Sequence, residues 1–578
     1  WISIDNKFFV WSFDQKDFTI YEELDQVILS VGLVKPKPNI FKDYVEYLLI
    51  LATPVEVQLI AVVFDQDELT LLPTNYSIST DNVNMMSICG TDNGRIFLCG
   101  ADGHLYELVY ESKPGFFRRK VRKLNHTQNF FGNLMPSFLK WTNDEPIIDI
   151  SIDNSRNILY TLSENSTIDV WYLGTHGEDM QRVVTYSNAF KDAQRFSSVD
   201  SSSEVNPLLN KQNFKLVYIK AISKLDAENQ YTLVAVSKQG QHYYFSAMTS
   251  AYQTKPNGLR LVQLRYTQLK NATNGQASGT DVSAPTSDVH ECFYKNGVFL
   301  LADATTDEKD RLIGVCLESS GHSQDSDDSS TVDVYESTHV FDVQGKTLSI
   351  AERPLKLSIS FGNNFEANQP FNELATQHYY PPREFVCLSN TGVQMIKKYR
   401  PVDMLKLILQ DTSSSMGDNQ DIIKNFFQQY GRDEACYMCL LIACSAASEG
   451  DTQDHASSFA TSSEMVRKAK DLFFTMGGEA TPPKRSSSYS SNLQSGGMGG
   501  PIAAPSVTYS SAHNALMLYF SRMIAPMWYS PIVVGRGYTL NGNKKYEISS
   551  VRFQNREIQF VKNRLKGLDQ FLNSASFL

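Results

Sequence analysis

The sequence predicts a β-then-α chain. A seven-bladed β-propeller with long inserted loops occupies residues 1–400, and the start of an α-helical solenoid occupies 401–578. Three observations predict it. One pattern of paired apolar strands recurs seven times. Its turns carry residues that tolerate left-handed backbone. After Arg400-Pro401 the apolar spacing changes to that of helices.

The repeat is an apolar strand, a short polar turn and a second apolar strand. Its copies lie near Trp1 (SIDNKFFVWSF), at Tyr47–Phe64, Gly94–Tyr110, Arg156–Leu173, Gln230–Ser246, Gly297–Glu318 and Arg383–Tyr399. The clearer turns hold Asp102-Gly103, Glu164-Asn165, Gln239-Gly240 and Thr391-Gly392, where Gly and Asn accept the backbone of a tight reversal. A lone hairpin is marginal and must bury its apolar face on neighbours. Repeated hairpins without intervening helices point to a propeller, whose inner strands pair this way in each blade. About 57 residues per repeat exceeds the 40–45 of a compact blade, so loops decorate the blades. They are read at Ser197–Ser203, Asn271–Asp288 and Ser319–Ser330, stretches too polar to order themselves. The WD dipeptide is absent from the hairpin ends, with Val170-Trp171 its nearest echo. A β-sandwich is the alternative architecture and explains seven matched hairpins less well.

Beyond Pro401, Val402, Leu405, Ile408 and Leu409 recur on one helix face. Ile422–Gln429 and Glu434–Ala447 form a helix pair around Gly431. Ser463–Met476 is bounded by Ser before it and Gly477-Gly478 after it. A Ser/Gly/Pro-rich disordered loop is expected over 479–510. Ser511–Met527 follows as an apolar helix, and Ile558, Leu565, Leu568, Phe571 and Leu572 mark the last. Helices stacked without strands suggest a solenoid. The start at Trp1 without Met suggests an internal fragment, and the apolar last helix suggests a chain that continues past Leu578.

Composition narrows the function. The 578 residues would suggest roughly four domains, a count the repeat reduces to one propeller plus helices. Fifty-three Lys and Arg against 63 Asp and Glu, a net charge of −10, argue against coating nucleic acid in bulk. Eight cysteines are not a disulfide framework. No apolar run reaches the length of a membrane span. There is no GxxxxGK[ST], HExxH or GxSxG. Gly275–Gly279 (GQASG) misplaces its Ser for a nucleophile elbow. Cys436 and Cys439, with Cys444 nearby, lack the second pair a zinc site needs and read as buried structural thiols. No catalytic residue, metal or cofactor is expected.

One stretch carries a binding signal. Lys113, Arg118, Arg119, Lys120, Arg122 and Lys123 place six positive charges in eleven residues with no acidic one. On a helical wheel, Phe130, Phe131, Leu134, Met135, Phe138, Leu139 and Trp141 then fall on one half. Asn129, Gly132, Asn133, Pro136, Ser137 and Lys140 fall on the other. Large apolar side chains opposite a weakly charged face suit insertion into curved, defect-rich lipid. The basic cluster would add attraction to anionic headgroups of roughly 1 kcal/mol per residue; nucleic acid or an acidic protein are its other options. The ordinary readings are a helix docked on its own propeller or solenoid and a solvated basic surface. Pro136 opposes a long straight helix.

Several longer stretches resemble the 155-kilodalton class of large scaffold nucleoporins. They are ILSVGLVKPKPNIF (Ile28–Phe41), LLILATPVEV (Leu48–Val57), SIDNSRNILYTLSE (Ser151–Glu164), RPVDMLKLIL (Arg400–Leu409), DEACYMCLLIACS (Asp433–Ser445) and LYFSRMIAPMW (Leu518–Trp528). The resemblance covers the whole chain in order. It implies a non-catalytic scaffold of the inner ring of the nuclear pore complex, at the nuclear envelope, supporting pore assembly and nucleocytoplasmic transport. The implied partners are adaptor and linker nucleoporins, pore-membrane proteins and the membrane surface. The family's membrane-sensing propeller loop matches Phe130–Trp141 by position and chemistry. A propeller-solenoid vesicle-coat or tethering subunit is the alternative, and a propeller hydrolase would need a catalytic constellation that the sequence lacks.

Overall fold

The computed structural model describes residues 1–12, 17–65, 68–112, 120–127, 145–174, 180–199, 211–224, 226, 231–249, 255–266, 288–304, 308–318, 335–354, 373–410, 416–445, 461–479, 509–528, 533–540, 543–551, 553 and 555–574. They form two compact units, Trp1–Ile350 with Leu388–Gly392, and Ala351–Cys387 with Val393–Leu578.

Seven antiparallel sheets follow one another along the chain. The first is β1 (Ile2–Ile4), β2 (Lys7–Trp11) and β3 (Phe18–Tyr21). The second is β4 (Ser30–Val34), β5 (Val45–Ala52), β6 (Glu56–Asp65) and β7 (Glu68–Ser79). The third is β8 (Met85–Gly90), β9 (Ile96–Gly100), β10 (Leu105–Tyr110) and β11 (Val121–Asn125). The fourth is β12 (Ile147–Asp153), β13 (Ile158–Ser163), β14 (Ile168–Tyr172) and β15 (Gln181–Tyr186), followed by a helix, α1 (Ala189–Val199). The fifth is β16 (Leu216–Ala221), β17 (Leu233–Ser237), β18 (Gln241–Thr249) and β19 (Pro256–Tyr266). The sixth is β20 (Val289–Lys295), β21 (Val298–Ala304), β22 (Asp310–Glu318) and β23 (Tyr335–Val343). The seventh is β24 (Thr347–Glu352), β25 (Arg383–Ser389) and β26 (Gly392–Lys398), with a short helix α2 (Glu373–Thr376) before β25. This is a seven-bladed propeller.

Alternation along the strands explains the stacking. On β9, Ile96 and Leu98 face the second sheet and pack with Leu48, Ile50 and Leu59. Phe97 and Cys99, between them in sequence, face the fourth sheet and pack with Ile150, Leu159 and Trp171. Further cores fill the gaps between first and second sheets (Phe8, Tyr21, Leu49, Leu51), fourth and fifth (Tyr160, Leu162, Tyr243, Phe245), and fifth and sixth (Val234, Tyr244, Phe299, Ile313). A strand covered on both faces reads as a continuous apolar run. The hairpins read from sequence are therefore the two middle strands of the second to sixth sheets.

The turns hold one correction. Gly103, Gly240 and Gly392 have positive φ as expected, but in the fourth sheet the left-handed residue is Ser166 (φ 67°), not Asn165. The Asn165 Oδ1 instead accepts from Thr167 N at 3.2 Å, an Asx contact that closes the turn.

Polar groups seal the seams. Ser30 Oγ donates to Met85 O at 2.7 Å. Asp149 Oδ2 accepts from Ile219 N, and Ser151 Oγ from Ala221 N, both at 2.8 Å. Asp310 Oδ2 accepts from Thr347 N at 2.6 Å. Between β4 and β8 the approach is so close that a Cβ on Gly32 would sit 2.5 Å from Ile88 Cγ2.

The second unit holds α3 (Pro401–Gln410), α4 (Met416–Tyr430), α5 (Arg432–Ala443), α6 (Ser463–Met476), α7 (Ser511–Trp528) and α8 (Asn555–Ser574). Every residue of α5 from Ala435 to Ala443 is buried, as a helix apolar on all sides must be. α6 starts where expected, with the Ser462 side chain accepting from Met465 N. Three expectations change. α5 ends at Ala443, short of Ala447. Ile558 of α8 is exposed while Leu568 and Phe571 are buried. A hairpin, β27 (Val533–Leu540) and β28 (Asn543–Val551), stands between α7 and α8 where only helices were expected. Of the expected loops, 271–287 and 319–330 lie outside the described residues, as does 480–508. Most of Ser197–Ser203 does too, but α1 runs into its start.

Candidate membrane-facing and basic site

The segment 128–144 joins β11, the outer strand of the third sheet, to β12, the first strand of the fourth. Phe130, Phe131, Leu134, Met135, Phe138, Leu139 and Trp141 all lie in it, outside the described residues. Lys113, Arg118 and Arg119 also lie outside them, between β10 and β11. The described parts are the two roots of the segment and the remaining half of the basic cluster.

The first root is held firmly. His126 N donates to Leu105 O at 2.9 Å. Thr127 N donates to Asn125 Oδ1 at 2.9 Å, and Thr127 Oγ1 meets His104 Nδ1 at 2.9 Å. Beneath it lies a buried ionic network. Arg95 Nε and Nη2 donate to the two Glu107 oxygens, both at 2.8 Å, and Nη1 donates to Leu173 O of the fourth sheet at 2.9 Å. His126 Nε2 meets Glu107 Oε2 at 2.8 Å. Burial alone would push the Glu107 carboxyl up. Hydrogen bonds and charge from Arg95 and His126 outweigh it and hold the group at about 2. At the second root, Pro146 O accepts from Glu164 N at 3.0 Å, and Ile147 is buried between the third and fourth sheets.

The described cations are engaged by the protein itself. Lys120 Nζ sits 3.9 Å from the Tyr76 ring centroid. Arg122 lies 3.6 Å from Glu111. Lys123 Nζ reaches Thr80 O and Asp81 Oδ2, both at 2.7 Å. Three charges that look unopposed in sequence therefore have partners on β7, at its end and at the end of β10. No sequence signal marked Arg95, just before β9, Glu107 on β10 or His126, just after β11, which share no motif. Cys436, Cys439 and Cys444 are buried as expected. Burial pushes the Cys436 and Cys444 thiols up to about 12. Among the described residues no group of His, Cys, Asp and Glu could hold a metal ion, and no helix is long and apolar enough to cross a membrane.

A nucleoporin family model, described as Nup133 N terminal like, matches residues 1–395. The chain belongs to this nucleoporin family. Among its curated relatives, this nucleoporin is 30% identical to Nup154 of Drosophila melanogaster, over 83% of the chain and 34% of the relative. It is 26% identical to a probable nucleoporin of Schizosaccharomyces pombe, over 100% of the chain and 45% of the relative. It is 26% identical to NUP170 of Chaetomium thermophilum, over 93% of the chain and 38% of the relative. The chain thus spans less than half the length of these relatives. Among solved structures, a Chaetomium thermophilum Nup170 N-terminal domain in complex with Nup53 matches with a TM-score of 0.75 at 23% identity. The match covers 100% of this chain and 75% of that one. The family is one of structural scaffold proteins of the nuclear pore complex, and that is where this nucleoporin is placed.

Proposed function

We propose that this nucleoporin serves in the inner ring of the pore, supports pore assembly and the transport of protein and mRNA, and contacts the curved pore membrane through Phe130–Trp141. The observation that carries the membrane reading is the anchorage of 128–144. One root is fixed to the third sheet and the other to the fourth, so the apolar stretch Phe130–Trp141 belongs to a connection tied at both ends. The basic residues Lys113, Arg118 and Arg119 lie next to it in sequence and would add attraction to anionic lipid. The neighbouring fold was solved in complex with Nup53; linker and adaptor nucleoporins, with pore-membrane proteins, are the partner set proposed here.

The chain should float with small, highly curved liposomes more than with large ones. Phe130→Asp with Leu134→Asp should abolish flotation while the melting temperature stays unchanged. Equal flotation of the two proteins would refute membrane contact. A fluorescent fusion should mark the nuclear rim, and a Golgi or endosomal pattern would refute the inner-ring placement.

A further inference from the structure

Each sheet of the propeller is a meander entered through its innermost strand, so β8, β12, β16, β20 and β24 all run the same way around the axis. In four of them the pairing slips at the second residue, between Met85 and Ser87, Ile147 and Asp149, Leu216 and Tyr218, and Val289 and Glu291. The extra residues are Met86, Ile148, Val217 and His290. A β-bulge re-aims the side chain it carries, and its repetition at one strand position gathers the four bulges at one mouth of the axis, where the His290 ring is engaged by Asp310 at 2.8 Å. Leu348, second in β24, and Leu29, just before β4, occupy the same level. Met86 is 58% exposed and Leu348 51%.

Just past the bulges the residues turn polar. Asp149 is satisfied by Ile219 N and by Lys220 Nζ at 3.2 Å. Tyr218 donates to His290 O. Glu291 has no hydrogen bond or ion pair among the described residues. Two carboxylates thus share one ammonium, already engaged by Asp149, and the second carboxylate follows directly on the bulge at His290.

We propose that this mouth of the propeller axis docks an extended, apolar segment of a partner protein that presents one arginine or lysine to Glu291. The charge arithmetic selects that partner. A cation gives Glu291 a counterion it need not share with Asp149, and aliphatic or aromatic flanks cover the rim of Met86, Ile148 and Leu348. The inference does not rest on membrane contact by Phe130–Trp141.

The test uses the full chain and a positional-scanning library of extended hexapeptides. Wild type should select Arg or Lys at one position and Leu, Ile or Phe beside it. The best peptide should move the Met86, Ile148 and Leu348 methyl resonances. Glu291→Gln breaks no bond among the described residues and should keep the fold, yet weaken that peptide about tenfold or more. Replacing the peptide's cation by glutamine should do the same. The proposal is overturned if no cation is selected, if Glu291→Gln binds equally, or if the moving methyls lie elsewhere. It is also overturned if Met86→Ser abolishes binding of the chain to phosphatidylcholine vesicles while leaving peptide binding intact.

Discussion

Glu107 and Glu291 are both largely withdrawn from water within one propeller, and their chemistry is opposite. Glu107, in the seam between third and fourth sheets, receives a two-pronged guanidinium and an imidazole and is held at about 2. Glu291, near the axis, is pushed up to about 7. Burial is the main cause, the Lys220 charge opposes it and the Asp149 charge adds to it. Burial raises both carboxyls; what differs is how many donors reach the oxygens. A seam that must stay shut has its charge fully partnered. A surface that can receive something leaves one charge short of a partner.

The hardest way to break the contrast is Arg95→Met. It strands Glu107 in a buried site, and the expected loss is about 3–5 kcal/mol in chemical denaturation. Adding Glu107→Leu should recover most of it. A loss under about 1 kcal/mol for the single change would mean that the network is not what shuts the seam.

The pH dependence should differ in sign. The depressed Glu107 carboxyl stabilises the fold above the ordinary carboxylate range, and that stability is lost as pH falls toward about 2. The raised Glu291 carboxyl acts the other way. Its contribution is intact below the ordinary range and lost as pH rises through about 7. Glu291→Gln should therefore melt higher than wild type at pH 8 and level with it at pH 4. Parallel melting curves at both values would show that Glu291 is already partnered.

The smallest effect is expected at the basic cluster. Lys120→Ala removes a cation from the Tyr76 face and should cost about 0.5–1 kcal/mol. Its contribution to anionic vesicle binding should be smaller than that of Arg118 and Arg119. If Lys120→Ala instead weakened vesicle binding most and left stability untouched, the intramolecular contact would be incidental.

What could be read from the sequence follows burial. β9 and β10 are covered on both faces, so their apolar runs announced themselves. β7 and β11 are half exposed, and their mixed patterns did not. α5 was legible because it is apolar all round. The β27–β28 hairpin was not, because its turn signal Asn541-Gly542 lies between stretches of mixed polarity rather than apolar runs. The basic cluster misled for a different reason. The acids and the ring that engage Lys120, Arg122 and Lys123 come from elsewhere in the chain, at Tyr76, Asp81 and Glu111, and proximity in sequence does not reveal partners across strands. The same holds for Arg95 and Glu107.

The seam bonds also have a mechanical meaning. When a ring is stretched, the pull passes through every seam in turn, and the weakest sets the load the ring can carry. Between β12 and β16 the side chains of Asp149 and Ser151 grip alternate backbone amides, those of Ile219 and Ala221, as rungs grip a ladder. Between β4 and β8 the corresponding grip is the bond from Ser30 to Met85, backed by the tight fit of Gly32 against Ile88. Of these two seams, the one between β4 and β8, held more by shape than by side-chain bonds, would yield first under tension.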